Sequence, residues 1–345
     1  MIRIAIVNDV PMAAEVLRRI VVSLPDAEVA WIAKDGQEAV EKCRADTPDV
    51  VLMDLIMPVM DGVEATRQIM KHCPCPILVV TATVSGNSNK VYESLGHGAL
   101  DALNTPVLGR DGSIAGGDDL KRKIRNIVRL RSAGGTLLKP DRPPSCTTAD
   151  RSPAPATPLL AIGASTGGPQ ALTKLIAGLA RPIHYSVVIV QHLDTLFVPG
   201  FVEWMAYETQ LPVRQIEPGT RPQIGAVGVA CTQDHLVITS NGIFQYVREP
   251  SGCIHRPSVD VLFDSLARAP LQPGVGVLLT GMGRDGAVGL KALKDSGWKT
   301  IAQDQHSSIV WGMPGAAVKL GAADQVLPLD QIGPAISKML VPKRV

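Results

Sequence analysis

Residues 140–158 hold six prolines and no large apolar side chain. Proline fixes φ and lacks an N–H, and a stretch without large apolar groups cannot bury enough surface to offset the entropy of ordering. The segment predicts a semi-extended linker and forbids one continuous core across the chain. Of 345 residues, 139 precede it and 187 follow it. Each part is long enough to bury a core of its own.

Charge and composition narrow the function classes. Thirty-four Lys and Arg against 32 Asp and Glu leave a formal charge of +2, which argues against a chain that wraps nucleic acid. No apolar run approaches the roughly 18 residues of a membrane span, so no membrane insertion is expected. The opening run Ile2–Val7 is too short for a signal peptide and meets Asp9 at once. Six cysteines do not form a disulfide framework, and Cys73-Pro74-Cys75 has no second Cys/His pair at a metal-binding spacing. Reduced thiols and a cytoplasmic location are the expectation.

The first part alternates apolar runs at 2–7, 28–33, 49–53, 76–81 and 99–103 with amphipathic stretches near 11–23, 36–45, 63–71, 87–95 and 118–132. Five βα units predict a parallel, doubly wound, flavodoxin-like sheet covered on both faces. The second part alternates likewise, with runs at 158–162, 185–191, 275–280 and 299–303, and helical stretches at 169–180, 258–268 and 286–296. Short strand-like pieces within 211–256 suggest an antiparallel excursion from a second doubly wound parallel sheet. The expected division is a domain over 1–132, a Pro-rich linker over 133–158 and a second domain over 159–345.

Two clusters carry chemistry. Run 49–53 ends in Asp54, and run 2–7 ends beside Asn8-Asp9. In an open α/β sheet, ligands gather at the carboxyl ends of strands where the order reverses, so Asp9 and Asp54 should converge there. Paired carboxylates suit Mg²⁺, and an Asp beside the metal can accept a phosphoryl group. Thr81, at the end of run 76–81, can hydrogen-bond that phosphate. The alternative is that these acids only cap the helices that follow.

Together, Asp9, Asp54, Met57-Pro58-x-Met60-Asp61-Gly62, Thr81-Ala82 and Gly98-Ala99-Leu100-Asp101 resemble a response-regulator receiver domain over residues 1–132. The resemblance implies Asp54 as phosphoacceptor, Asp9 with Asp54 as Mg²⁺ ligands, Thr81 as the switch hydroxyl and a histidine kinase as phosphodonor. Two positions depart from the family. Asn8 replaces the first of two acids, and Thr105-Pro106 stands where the family has Lys-Pro. Phosphorylation of Asp54 with weak onward signalling is the expectation, since a neutral hydroxyl replaces an ammonium.

In the second part, Gly163-Ala164-Ser165-Thr166-Gly167-Gly168-Pro169 joins an apolar run to a helical stretch. A G-x-S-x-G turn between strand and helix exposes its serine beside unpaired helix N–H groups. The same kind of turn can cradle phosphate. His192 ends run 185–191, and Asp285 lies in Thr280-Gly281-Met282-Gly283-Arg284-Asp285-Gly286 after run 275–280. Ser165, His192 and Asp285 thus share one rim as a candidate nucleophile, base and orienting acid. His255 is a second candidate base. Segment 303–314 is rich in polar groups, but its spacing assigns it no role beyond the rim.

Gly-Ala-Ser-Thr-Gly-Gly, Val-Gln-His, His-Arg-Pro-Ser-Val-Asp and Leu-Thr-Gly-Met-Gly-x-Asp-Gly-Ala, in this order behind a receiver, resemble the chemotaxis-type protein-glutamate methylesterases, the CheB family. The resemblance implies hydrolysis of glutamyl methyl esters, and deamidation of glutamines, on methyl-accepting receptor signalling domains. It implies the triad Ser165, His192 and Asp285, with Thr166, Met282 through its backbone N–H, and His255 in support. It implies no cofactor for the esterase. Asn8-Asp9 and Thr105-Pro106 resemble the Wsp-type surface-sensing branch. A small-ester hydrolase and a non-catalytic receptor-binding regulator are the alternatives. The linker is long enough for the receiver to fold back over the esterase rim, so inhibition relieved by phosphorylation is expected.

Overall fold

The computed structural model describes residues 1–82, 88–109, 114–132, 158–253 and 255–340. Most of the expected linker, 133–157, lies outside the described residues. The chain separates into two compact units, Met1–Ala149 and Asp150–Val345.

In the first unit, strands β1 (Ile2–Val7), β2 (Ala27–Ala33), β3 (Val50–Met53), β4 (Ile77–Thr81) and β5 (Asp101–Asn104) form a parallel sheet in the order 2-1-3-4-5. Helices α1 (Pro11–Val22), α2 (Gly36–Ala45), α3 (Gly62–His72), α4 (Ser88–Gly96) and α5 (Gly117–Ser132) intervene or follow. A short antiparallel hairpin, β6 (Val107–Leu108) with β7 (Ile114–Ala115), precedes α5.

Local chemistry explains the helix starts. Asp35 and Asp61 cap α2 and α3 by accepting the N–H groups of Glu38 and Glu64. Proline at its first position starts α1, where its missing N–H costs nothing. On one sheet face, Ile4, Ile6, Val50, Leu52, Leu78 and Val80 pack against Leu17 and Ile20 of α1 and Leu120 and Ile124 of α5. The order reverses between β1 and β3, so their carboxyl ends open a crevice.

The second unit is built on a seven-stranded parallel sheet. Its strands are β8 (Leu159–Ala164), β9 (Ser186–Gln191), β10 (Val213–Gln215), β11 (Val227–Val229), β14 (Val275–Leu278), β15 (Lys299–Gln303) and β16 (Gln325–Leu327), in the order 10-11-9-8-14-15-16. Between β11 and β14 in sequence, β12 (His235–Ile238) and β13 (Phe244–Val247) form an antiparallel hairpin. The excursion read from the sequence is therefore narrower than 211–256. Its pieces around 213 and 227 join the main sheet in parallel register, because β10 lies beside β11 and β11 beside β9.

The helices are α6 (Gly168–Ala177), α7 (Val198–Thr209), α8 (Val259–Arg268), α9 (Ala287–Asp295), α10 (Met313–Lys319) and α11 (Leu329–Leu340). Leu262, Phe263 and Leu266 of α8 and Leu290 and Leu293 of α9 bury against Leu159, Ala161 and Leu278 of the sheet. The chain leaves β8 toward β9 and later returns to β14 on the other side, so the switch point lies between β8 and β14. No helix among the described residues is long and apolar enough to cross a membrane.

Candidate active site and acidic pocket

Ser165 follows β8 directly, at the switch point. Its N–H bonds to the carbonyl of Thr280 (3.1 Å), and its own carbonyl accepts from Gly168 N (2.7 Å) and Gln191 Nε2 (2.8 Å). Gly167 has φ 74°, the left-handed region open to glycine, and Ile309 would meet a β-carbon there at 2.9 Å. A β-carbon on Gly281 would lie 2.9 Å from that of Ser165, so glycine lets the loop after β14 press against the serine.

His192 leaves the end of β9, and its N–H bonds to the carbonyl of Ala164 (3.0 Å). Its Nε2 lies 2.8 Å from Oδ2 of Asp285, and both side chains are about nine-tenths shielded. His192 Nδ1 is buried and without a hydrogen-bond partner. An acid on Nε2 fixes the proton there and leaves Nδ1 as the basic nitrogen. The Ser165–His192 hydrogen bond is therefore not formed through Nδ1 in this structure; such bonds often tighten only when substrate binds. The ring of His255 stacks on that of His192, with centroids 4.2 Å apart and planes 11° from parallel.

Asp285 accepts four hydrogen bonds. Besides His192, these come from Ser258 Oγ (2.7 Å), Val259 N (2.7 Å) and Asp260 N (3.1 Å) at the start of α8. Burial opposes its charge, but the bonds from His192, Ser258 and Val259 prevail and hold its carboxyl well below the usual range. Thr166 is half-buried, and its carbonyl accepts from Thr280 Oγ1 (3.0 Å). Met282 is half-buried between Gly281 and Gly283, the latter at φ 82°.

The polar segment after β15 forms a strap beside the serine turn, a role its spacing alone did not reveal. Thr280 N donates to Gln303 Oε1 (2.8 Å), and Val310 N donates to Thr280 Oγ1 (2.9 Å). Gly281 N bonds to the carbonyl of Val310 (2.9 Å), and Met313 N to that of Gly281 (2.9 Å). Trp311 Nε1 donates to the carbonyl of Gln303 (2.9 Å).

The first unit brings a second set together. Asp54 follows β3, and its N–H bonds to the carbonyl of Val7 (3.0 Å) at the end of β1. Asn8 Nδ2 donates to Asp54 Oδ2 (3.0 Å), while Asn8 Oδ1 accepts from Val10 N (2.9 Å). Thr81, fully buried at the end of β4, holds its hydroxyl near Asp54, where it favours the charged carboxylate. Burial raises the Asp54 carboxyl, and the nearby charge of exposed Asp9 adds to the shift. Thr105 N bonds to the carbonyl of Thr81 (3.1 Å), and its Oγ1 is buried without a partner. The described residues contain no group of three or more His, Cys, Asp or Glu side chains able to hold a metal. The donors at this pocket are two carboxylates and an amide, hard oxygen ligands of the type Mg²⁺ accepts.

A family model for the CheB methylesterase matches residues 160–336, spanning Ser165, His192 and Asp285. The chain belongs to the CheB methylesterase family. A model for the response regulator receiver domain matches residues 4–111. A protein-glutamate methylesterase/protein-glutamine glutaminase 2 of Cupriavidus metallidurans is 49% identical over 335 residues, 97% of each chain. A protein-glutamate methylesterase/protein-glutamine glutaminase 3 of Pseudomonas aeruginosa is 46% identical over 337 residues, covering 98% of this CheB-family chain and 99% of the relative. The solved CheB methylesterase catalytic domain of Thermotoga maritima is 31% identical, with a TM-score of 0.51, covering 53% of this chain and 98% of that one.

Proposed function

We propose that this chain hydrolyses glutamyl methyl esters, and deamidates glutamines, on methyl-accepting receptor proteins, under control of its receiver. The observation that carries the reading is the pairing of His192 with Asp285 through Nε2 while Nδ1 stays unpartnered, one strand from Ser165. Full-length likeness to relatives named for both activities supports the substrate class.

In the proposed reaction, Ser165 Oγ attacks the side-chain carbonyl carbon of the substrate glutamate, and its proton passes to His192 Nδ1. Asp285 balances the imidazolium. The developing oxyanion is held by backbone N–H groups at the serine turn, with that of Met282 in support. The carbon–oxygen bond to methanol breaks as His192 returns the proton; for a glutamine the leaving group is ammonia. Water, deprotonated by His192, then cleaves the acyl-enzyme and restores Ser165. His255 stacks on the base and limits how its ring can turn.

At the receiver, Asp54 is proposed as phosphoacceptor from a histidine kinase, with Asp9 and Asp54 as the residues that would hold Mg²⁺. The ion would offset negative charge on a phosphoryl group. Thr81 already reaches Asp54 and is suited to follow that group. A fluorophosphonate probe tests the nucleophile: covalent labelling at Ser165, lost in Ser165→Ala and reduced in His192→Ala, is expected. Labelling that is unchanged in Ser165→Ala would overturn the assignment.

A further inference from the structure

Asp260 has no part in the reaction above, yet its carboxyl touches the proposed triad acid. Asp285 sits just before α9, and Asp260 is the second residue of α8. Their side chains cross. Asp285 takes the Val259 and Asp260 N–H groups at the start of α8, while Asp260 Oδ1 takes Gly289 N (2.7 Å) in the first turn of α9. The N-cap of α9 is Gly286, which has no side chain to cap with, so Asp260 supplies that function from the neighbouring helix. A β-carbon on Gly289 would meet the Asp260 carbonyl at 2.8 Å and Phe263 Cβ at 2.7 Å, so this close helix contact depends on glycine.

The Asp260 carboxyl also lies beside that of Asp285, close enough for the two to share a hydrogen bond. Two carboxyls share such a bond only when one carries a proton. Asp285 is already committed as an acceptor to four donors, so a proton shared between the two carboxyls belongs on Asp260. Burial first, and the charge of Asp285 second, raise the Asp260 carboxyl above the usual carboxylate range.

We propose that Asp260 is a positioning residue for the esterase: its neutral carboxyl donates to Asp285 and, through the crossed caps, holds that acid against His192 Nε2. The proposal rests on the reading of Ser165, His192 and Asp285 as the catalytic triad. The titratable groups around Asp260 come from every packed element. Asp285 precedes α9 and has His192 beyond it; Cys253 lies before α8. From β12, His235 accepts Ser258 N on its Nδ1 (3.1 Å), and burial lowers its pKa, favouring the neutral ring. On α9, Lys291 is paired with Asp295. On α8 itself, Asp264 is paired with Arg268. β8 carries no titratable side chain.

Raising the pH through the titration of Asp260 removes the donated bond and sets two anions side by side. Asp285 is then pushed from His192, and kcat falls. Asparagine at 260 keeps an acceptor for Gly289 N and a donor for Asp285 without titrating; alanine keeps neither.

The test is methanol release from methylated receptor membranes by the full chain, from about pH 6 to pH 9. The Ser165→Ala rate is subtracted, and thermal melting checks folding. Asp260→Ala is expected to lower kcat about ten- to a hundredfold with KM unchanged. Asp260→Asn is expected to recover most of that loss and to lack the alkaline decline of the wild type. A folded Asp260→Ala protein with wild-type kcat, or an Asp260→Asn protein that keeps the decline, would overturn the proposal. If Asp260→Ala does not fold, the Asp260→Asn profile decides alone. Absence of Ser165-dependent release in the wild type would instead sink the triad reading and the proposal with it.

Discussion

His192 commits Nε2 to Asp285 and keeps Nδ1 unpartnered within a buried site. Which ring nitrogen faces the acid was not legible in the sequence, because it depends on how the β9 and β14 ends approach across 93 residues. The residue types were legible, since Ser165 and His192 follow apolar runs at their carboxyl ends and Asp285 lies in the glycine-rich loop after a third. The acidic pocket reads the same way: Asp54 and Asp9 follow from strand ends, but the Asn8 amide bond to Asp54 does not. Because burial and then Asp9 raise the Asp54 carboxyl, its neutral form is favoured in the folded state. That contribution is present below the unfolded pKa and lost as pH rises through the raised folded value. Asp54→Asn is therefore expected to raise the receiver's melting temperature at pH 7, with the gain vanishing below about pH 4. Calorimetry across that range checks it, and an equal shift at every pH would count against a buried charge as the cause.

At the scale of elements, α8 and α9 hold the proposed acid, and the strap after β15 holds the serine turn. Thr280 is the joint of that strap. Its hydroxyl donates to the carbonyl of Thr166 and accepts from Val310 N. Thr280→Val keeps the shape and strands both groups, at a cost of about 1–3 kcal/mol for each left unpaired. Lower melting temperature together with reduced kcat is expected; unchanged kcat in a folded variant would show that the strap does not position the serine. The strap was illegible as a functional element because its partners lie far away in sequence, 30 residues for Val310 and 114 for Thr166. The α/β alternation was legible from apolar runs of strand length. The short strands β10, β11 and β16, three residues each, carry too little pattern to reveal which sheet they join.

At the scale of the whole molecule, a proline-rich segment separates a receiver domain from a methylesterase domain, an arrangement suited to control of one by the other. Each unit has its own core, so removal of residues 1–139 should leave the esterase folded. Higher basal methanol release from the truncated protein is expected if the receiver restrains the site; equal or lower release from a folded truncation would assign the receiver to targeting instead. Ester hydrolysis on receptor glutamates is proposed to rest on Ser165. Release of labelled methanol from methylated receptor membranes measures this directly. The wild-type chain is expected to release it, and Ser165→Ala to fall by several orders of magnitude toward the uncatalysed rate; undiminished release by Ser165→Ala, or none by the wild type, would contradict it.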